Sequence, residues 1–217
     1  EIFAGSKGMN HPDYAWCISN LSNLYQQMGN FKRAEILIRE ANQIREKTLG
    51  ENHPDYISGL ESLGTIYLDQ GIFDTAEVLF LKAIEIRVKV YGKENLDFTV
   101  YNNNLGLLYQ QVGNFKKAET IYLESKIILE KILEKEHPSN GEALAYLANL
   151  YVEMGDYVKA ELYYLQAKEI FLKSFGKNHM DYLNATFGLT DLFLKTGKFN
   201  EAKKYAQEFG LLQREMF

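Results

Sequence analysis

A pattern that returns every 42 residues is the feature that most constrains how this chain can fold. A leucine is followed by an aromatic residue and then by a glycine, and the series has no slip in register. Its members are Leu21, Leu63, Leu105, Leu147 and Leu189; Tyr25, Tyr67, Tyr109, Tyr151 and Phe193; and Gly29, Gly71, Gly113, Gly155 and Gly197. A fixed period of this length is typical of repeat proteins, whose units bury their apolar faces by stacking on one another.

Each repeat has the pattern of two helices joined by a short turn. In the first repeat, apolar residues follow spacings of three and four from Tyr14 to Met28, which predicts a helix with one apolar face. The same spacing resumes at Phe31 after Gly29 and Asn30. Glycine supplies the positive φ that ends a helix, and so short a connection makes the two helices antiparallel.

The segment before each first helix carries helix-start signals and one histidine. Proline occurs there at Pro12, Pro54 and Pro138, where the first turn of a helix does not need its missing N–H. The histidines are His11, His53, His137 and His179. One histidine per stacked repeat places them about 10 Å apart, too far to share a metal at about 2 Å per bond. We therefore interpret them as capping and loop-packing residues and predict no metal site.

The residues of the second repeat resemble the tetratricopeptide repeat. The matching residues are Leu63, Gly64, Tyr67, Gly71, Phe73, Ala76 and Ala83. The unit is about eight residues longer than the 34 of that consensus, or about one extra turn on each helix. With His-Pro-Asp before the first helix and Ala-Glu after the turn, it also resembles kinesin light chain repeats and the arrays of bacterial proteins that carry a caspase-like CHAT protease domain. The resemblance covers nearly the whole chain and implies an all-α fold, a right-handed α-solenoid (superhelix) of five antiparallel helix pairs.

The period predicts a single domain divided into repeats. Its expected parts are 1–9 as the tail of an upstream repeat, 10–51, 52–93, 94–135 and 136–177 as repeats one to four, and 178–217 as a fifth repeat with an atypical final helix. Ile2 and Gly8 keep the phase of later repeats, so we expect the chain to be part of a longer array. In the final helix, Phe209 stands where earlier repeats have small residues. We expect the apolar residues near the end to pack on a capping helix, another domain or a symmetry mate: Leu211, Leu212, Met216 and Phe217.

Composition argues against several classes of partner. The 29 acidic and 24 basic residues give a net charge of −5, and the lysines are spread among the second helices, so we expect no nucleic-acid binding. No apolar run is long enough to span a bilayer, so we expect no membrane partner. The single cysteine, Cys17, excludes an internal disulfide framework and suits a reducing compartment, so we expect a cytoplasmic protein.

The residues provide no complete active site. Cys17 lies beside Ile18 on a predicted helix face and is interpreted as a packing residue. No glycine-rich phosphate-binding motif stands between a strand and a helix. The repeated Glu35, Glu77, Glu119 and Glu161 complement the helix dipole and face neighbouring basic groups. We predict no catalytic residues and no cofactor, and we assign any chemistry to a linked domain outside these residues.

What remains is a surface for recognition. By resemblance, the first helices line a concave groove, and the residues off their apolar faces should meet a protein or peptide ligand. The predicted partner-binding residues are Trp16, Asn20, Asn23, Gln27, Asn103, Asn104, Leu107, Gln111, Tyr146, Asn149 and Phe187. Amides predominate, and they can pair with the backbone of an extended peptide or can simply form a solvated face. Lys195 is the exception in a groove nearly free of basic residues, which predicts that the array is not a carboxylate clamp for chaperone tails.

These observations predict a non-catalytic protein-protein interaction scaffold that binds an extended peptide or partner protein in the concave groove. One alternative is a regulatory segment of a larger enzyme, such as a CHAT protease. Another is a cargo or complex adaptor like a kinesin light chain. The full reading frame would separate the two alternatives by a downstream His and Cys pair on an α/β domain or by coiled-coil heptads.

Overall fold

A computed structural model describes residues 8–216, and in this range the chain forms helices joined by short connections, with no strand. The helices are α1 (Pro12–Gln27), α2 (Phe31–Leu49), α3 (Pro54–Asp69), α4 (Phe73–Tyr91), α5 (Leu96–Gln111), α6 (Phe115–Ile132), α7 (Pro138–Met154), α8 (Tyr157–Phe175), α9 (Met180–Lys195) and α10 (Phe199–Met216). These elements confirm the predicted all-α fold of tandem helix pairs. Residues 1–7, most of the predicted upstream tail, and Phe217 lie outside the described residues.

The contacts divide the chain into two compact units, with the boundary inside α5 between Leu108 and Tyr109. In the first unit, α1 packs on α2, α2 on α3, and α3 on α4. In the second unit, each helix from α6 to α10 likewise packs on the next. The core of the first unit includes Ile57 and Ala83, and that of the second includes Ala167 and Leu183. Within each unit these helices are thus buried by their sequence neighbours, as expected for stacked repeats.

Histidine caps the first helix of four repeats. The Nδ1 atom of His11 accepts a hydrogen bond from the backbone N–H of Asp13 at 3.1 Å, and His53, His137 and His179 make the same bond two residues on at 3.2 to 3.3 Å. The capping role predicted for these residues is confirmed. Within residues 8–216, no three His, Cys, Asp or Glu side chains are grouped so that they could hold a metal ion.

A glycine with positive φ ends the first helix of every repeat, as the sequence predicts. The residues are Gly29, Gly71, Gly113, Gly155 and Gly197, with φ between 71° and 77°. The residue after the glycine, Asn30 in the first repeat, caps the second helix and forms the turn between the two helices. The backbone N–H of Asn30 donates to the carbonyl of Tyr25 at 2.8 Å, while its side chain accepts from Arg33 N at 3.3 Å. This local bonding fixes the antiparallel geometry of the pair.

Three of the repeated glutamates, Glu35, Glu119 and Glu161, connect a second helix to the next repeat. The carboxylate of Glu35 accepts from the hydroxyl of Tyr67 at 2.6 Å and from Arg39 at 2.8 Å. Glu119 accepts from the hydroxyl of Tyr151 at 2.5 Å. The hydrogen bond from the Tyr67 hydroxyl is the largest single cause that lowers the pKa of Glu35, and Arg39 lowers it further. The predicted basic neighbour is therefore present at Glu35 and also at Glu161, which accepts from Lys198 at 2.8 Å. The tyrosine of the following first helix is a further partner that the sequence did not predict.

The predicted apolar face of α1 is only partly buried. Ile18 is buried, but Leu21, Leu24 and Met28 are exposed, and Leu24 keeps 51% of its surface. One repeat later the equivalent of Leu21, Leu63, is buried, because α2 packs against α3. No helix in the described range precedes α1, so nothing there covers the same face.

The final helix departs from the earlier repeats where the sequence indicated. Phe209 packs against the core cluster of the second unit, and its ring lies 5.7 Å from that of Phe187. Leu211 is exposed. The side chains of 212–217 lie outside the described residues, so the packing partner expected for this end of the chain stays a prediction. None of the helices between residues 8 and 216 combines the length and apolar character needed to cross a bilayer.

Candidate functional site

Helix α1 presents the most accessible of the predicted partner-binding residues. Trp16 is 62% exposed, and Asn20, Asn23 and Gln27 are exposed as well. Their spacings of four, three and four residues place them on one side of the helix. This side combines a large aromatic ring with three amides, which are side chains that can bind both the apolar and the backbone groups of a peptide.

The predicted residues of α5 that belong to the first unit are much less accessible. Asn103 is only 9% exposed, and its Oδ1 atom has no hydrogen-bond partner. Asn104 is half-buried and donates to the carboxylate of Glu61 at 2.5 Å. Leu107 is also half-buried. These residues therefore differ in accessibility from those of α1, because the amides of Asn103 and Asn104 are already packed between adjacent first helices.

Glu61 is a residue of this surface that the sequence analysis did not assign. It occupies in α3 the repeat position that Asn103 occupies in α5. Burial raises the pKa of its carboxyl to about 7, against the opposing effects of the Asn104 hydrogen bond and of Arg87. Arg87 itself pairs with Asp97 and lies 5.1 Å from the ring centre of Tyr101. A carboxyl that titrates near neutrality is thus built into the first unit.

Hydrogen bonds between successive first helices use part of the predicted polar surface. Gln26 donates to Asp69 at 2.6 Å and lies 3.4 Å from the hydroxyl of Thr65. The hydroxyls of Ser58 and Tyr101 are 3.0 Å apart. In the second unit, Gln110 donates to Glu153 at 2.8 Å. Most of these pairs are 43 residues apart and join one first helix to the next. Part of the polar surface is therefore used within the chain, and only some of its groups remain for a ligand.

The second unit places three predicted residues around one cavity. It has a volume of about 540 Å³ and lies between α7 and α9, with side chains of α8 behind it. Tyr146 and Asn149 line it from α7, and the 57% exposed Phe187 lines it from α9. Gln111 is exposed but does not line the cavity. Aromatic and polar groups converging on a cavity of this size form the kind of site that binds a small group or a peptide side chain.

The rear of this α7–α9 cavity depends on a glycine. A Cβ atom at Gly188 would lie 2.5 Å from Cε1 of the Tyr164 ring, so only glycine lets that ring sit where it does. From there the Tyr164 hydroxyl donates to Oδ1 of Asn149 at 2.5 Å. Burial raises the pKa of Tyr164 to about 12, which keeps the hydroxyl a donor at neutral pH. Gly188 was the sequence signal that could have indicated this cavity, because a small residue replaces the large Tyr146 that occupies the same position one repeat earlier.

The charge of the cavity is acidic. Glu142, Asp181 and Asp191 line it, and the described lining includes no lysine, arginine or histidine. Burial and the neighbouring Asp181 raise the pKa of Glu142, although His137 opposes that change. Tyr146 is held in place by stacking on Tyr122, with ring centres 5.4 Å apart. The site therefore combines fixed aromatic walls with negative charge.

Comparisons with protein families give one consistent result. Two family models described as tetratricopeptide repeat match the chain. One matches residues 15–55 and 58–97, and the other matches residues 96–173 and 146–208. Together these ranges cover most of the chain. A comparison with curated protein sequences gave no match.

Solved structures resemble the chain over nearly its whole length. A Podosopora anserina protein assigned as a kinesin light chain, with nearly identical TPR-like repeats, is 24% identical, has a TM-score of 0.76, and is matched over 94% of this chain and 97% of its own. BtubC (BKLC) from P. vanneervenii is 23% identical, with a TM-score of 0.78 and coverage of 92% and 79%. A Rap protein in complex with competence and sporulation factor is 19% identical, with a TM-score of 0.74 and coverage of 90% and 55%. At these identities the likeness shows the fold.

Proposed function

The chain belongs to the tetratricopeptide repeat family, and from this premise we propose that it is a non-catalytic scaffold that binds an extended peptide or a segment of a partner protein on its first helices. The fold in general serves protein-protein interaction and is typically non-catalytic. The observation that carries the proposal is the placement of accessible amide and aromatic side chains on α1, α7 and α9. Asn20, Asn23 and Asn149 supply the amides, and Trp16 and Phe187 the rings.

The chemistry of these residues favours a peptide over other ligands. Amides donate to and accept from a peptide backbone whatever its sequence, and exposed rings provide contact area for side chains. The net charge of −5 disfavours a phosphate backbone as the main ligand. Among the structural neighbours, the Rap protein was solved in complex with competence and sporulation factor, which supports a ligand-binding role for an array of this fold. The single cysteine supports our proposal of a cytoplasmic location.

A second candidate is a cargo or complex adaptor. The likeness to the kinesin light chain repeats of Podosopora anserina covers 94% of this chain and 97% of that protein, and it favours this candidate. An adaptor would use the same first-helix residues to hold a segment of its cargo. The two candidates therefore differ in what the bound segment belongs to, and one binding experiment tests the surface for both.

The test starts from random dodecapeptides displayed on phage and selected on the 217-residue chain. A selected peptide is then titrated by calorimetry against the wild type and a first-helix variant with Asn20→Ala, Asn23→Ala and Asn149→Ala. We expect this variant to bind at least about tenfold more weakly, because interface energy concentrates in a few residues.

The control variant carries Ile36→Ala and Gln43→Ala, two exposed residues of the second helix α2. We expect its affinity to stay within about twofold of the wild type. If the control variant loses binding while the first-helix variant keeps it, the binding surface is on the second helices and the proposal fails.

A further inference from the structure

We propose that the α7–α9 cavity binds an arginine side chain of the peptide ligand. The inference rests on the proposed function and adds to it the chemistry of one ligand residue. The cavity is defined by Glu142, Tyr146 and Asn149 on α7, by Tyr164 and Phe171 on α8, and by Asp181, Phe187, Gly188 and Asp191 on α9. All of these residues belong to the second unit.

The walls of the cavity fit a planar cation. Phe187 exposes more than half of its ring, and Tyr146 is half-buried against Tyr122. A guanidinium group stacks on aromatic faces, and it is more weakly hydrated than an ammonium group, so it loses less on entering such a site. The volume of about 540 Å³ falls among ordinary ligand sites, which span about 300 to 1,000 Å³. The guanidinium plane can lie against the rings while the N–H groups at its edge reach the carboxylates of the acidic rim.

The rim has negative charge that the protein does not fully neutralise. Asp191 already pairs with Lys195 at 2.9 Å, and Asp181 lies 3.3 Å from Nδ1 of His179. Glu142 lines the cavity together with Asp181. Burial and the charge of Asp181 raise the pKa of Glu142, while His137 opposes that change, so the carboxylate is in surroundings that disfavour its charge. A guanidinium placed there would stabilise the carboxylate through charge-assisted hydrogen bonds.

The rear of the cavity is closely packed without a ligand. A Cβ atom at Gly141 would lie 2.7 Å from the Phe171 ring, and one at Gly188 would lie 2.5 Å from the Tyr164 ring. Both rings are therefore packed directly on helix backbone. The hydrogen bond from Tyr164 to Asn149 fixes the amide at the edge of the site. A preformed site loses little conformational entropy on binding, which favours recognition of a single side chain.

Four fluorescein-labelled peptide libraries test the assignment. Each has the form Gly-X-X-Z-X-X-Gly, where X is an equal mixture of Ala, Ser, Asn and Leu and Z is Arg, Lys, Leu or Glu. Binding to the 217-residue chain is measured by fluorescence anisotropy. We expect the Arg library to bind about tenfold more tightly than the Leu and Glu libraries, with the Lys library weaker than the Arg library because a compact ammonium cannot stack. Equal binding of the Arg and Leu libraries would overturn the arginine assignment.

Matched variants locate the effect. Glu142→Gln should weaken the Arg library about fivefold and leave the Leu library unchanged, because it removes charge but little volume. Phe187→Ala should weaken the Arg and Lys libraries together. The control Glu130→Gln removes a carboxylate that is exposed on α6, outside the cavity, and should change neither. A Glu130→Gln effect as large as that of Glu142→Gln would show a general charge effect and contradict the site.

The failures of the two proposals give different results. If the Leu or Glu library binds and the first-helix variant abolishes that binding, the array binds peptides and only the arginine assignment is wrong. If no library binds and no displayed dodecapeptide is selected, peptide binding itself is wrong and the arginine site falls with it. Circular dichroism of each variant confirms that its helices are retained, so a loss of binding can be assigned to the cavity.

Discussion

Glu61 shows how the surroundings of one residue change its chemistry. Its carboxyl accepts a hydrogen bond from Asn104 at 2.5 Å and is attracted by Arg87, but burial outweighs both and raises its pKa from 4.5 to about 7. The folded protein therefore holds a proton that the unfolded chain releases near pH 4.5. Because the native state binds more protons between these two values, Glu61 lowers the free energy of unfolding as the pH rises from about 4.5 to about 7.

The variant Glu61→Gln tests this assignment. Glutamine keeps the shape and hydrogen-bonding groups of the protonated acid, so the variant and the wild type should be about equally stable at pH 4. At pH 8 the variant should be more stable by about 3 to 3.5 kcal/mol, since the pKa of Glu61 rises from 4.5 to about 7 and each pKa unit corresponds to about 1.4 kcal/mol. Urea denaturation followed by circular dichroism measures the difference.

The control for Glu61 is Glu85→Gln, at an exposed position of α4. We expect a change of less than about 0.5 kcal/mol at either pH, as for most surface substitutions. If Glu61→Gln has the same stability difference at pH 4 and pH 8, the carboxyl does not titrate with a raised pKa in the native state.

The helix pair is the element that the glycine turn makes possible. Gly71 has a φ of +73°, a conformation that costs an L-residue about 1 kcal/mol or more, and open space surrounds its missing Cβ. Gly210 also has open space around it, but it lies inside α10 without a positive φ. The two glycines thus differ in backbone conformation and not in crowding.

Alanine at the two positions should act in opposite directions. Gly71→Ala should lower the free energy of unfolding by about 1 kcal/mol, because alanine is strained at positive φ. Gly210→Ala should raise it by about 0.5 to 1 kcal/mol, because alanine favours the helix. Thermal unfolding should show midpoints displaced by about 2 to 4 °C per kcal/mol in each direction. A loss of stability in both variants would contradict the conformational explanation.

Across the whole molecule, the parts that the sequence predicted are those set by local or repeated interactions. The 42-residue period indicated the helix pairs, because the turn glycine and core residues such as Leu63 recur with it. Histidine capping was predictable since it depends on residues two positions apart. The exposure of the neighbouring asparagines of α5 could not be predicted in the same way. Asn103 is buried and Asn104 bonds to Glu61. The side of α5 that is covered depends on the packing of another helix. The α7–α9 cavity could not be predicted because it depends on the contact between Gly188 and Tyr164. Only the packing of α8 against α9 brings these two residues together.

The surface of the molecule explains why only some of the predicted residues can act in recognition. In each unit, polar groups such as Gln26 and Gln110 join successive first helices and stabilise the stack. The exposed residues of α1 and the residues around the α7–α9 cavity are left for a ligand. We therefore expect peptide contacts on the first helices, concentrated at these two places.

An NMR titration of the ¹⁵N-labelled 217-residue chain with a dodecapeptide selected on it by phage display tests whether peptides bind on the first helices. We expect the largest amide shift changes on the first helices, above all near Asn20, Asn23, Asn149 and Phe187. Shift changes confined to the second helices α2, α4, α6, α8 and α10 would contradict this expectation.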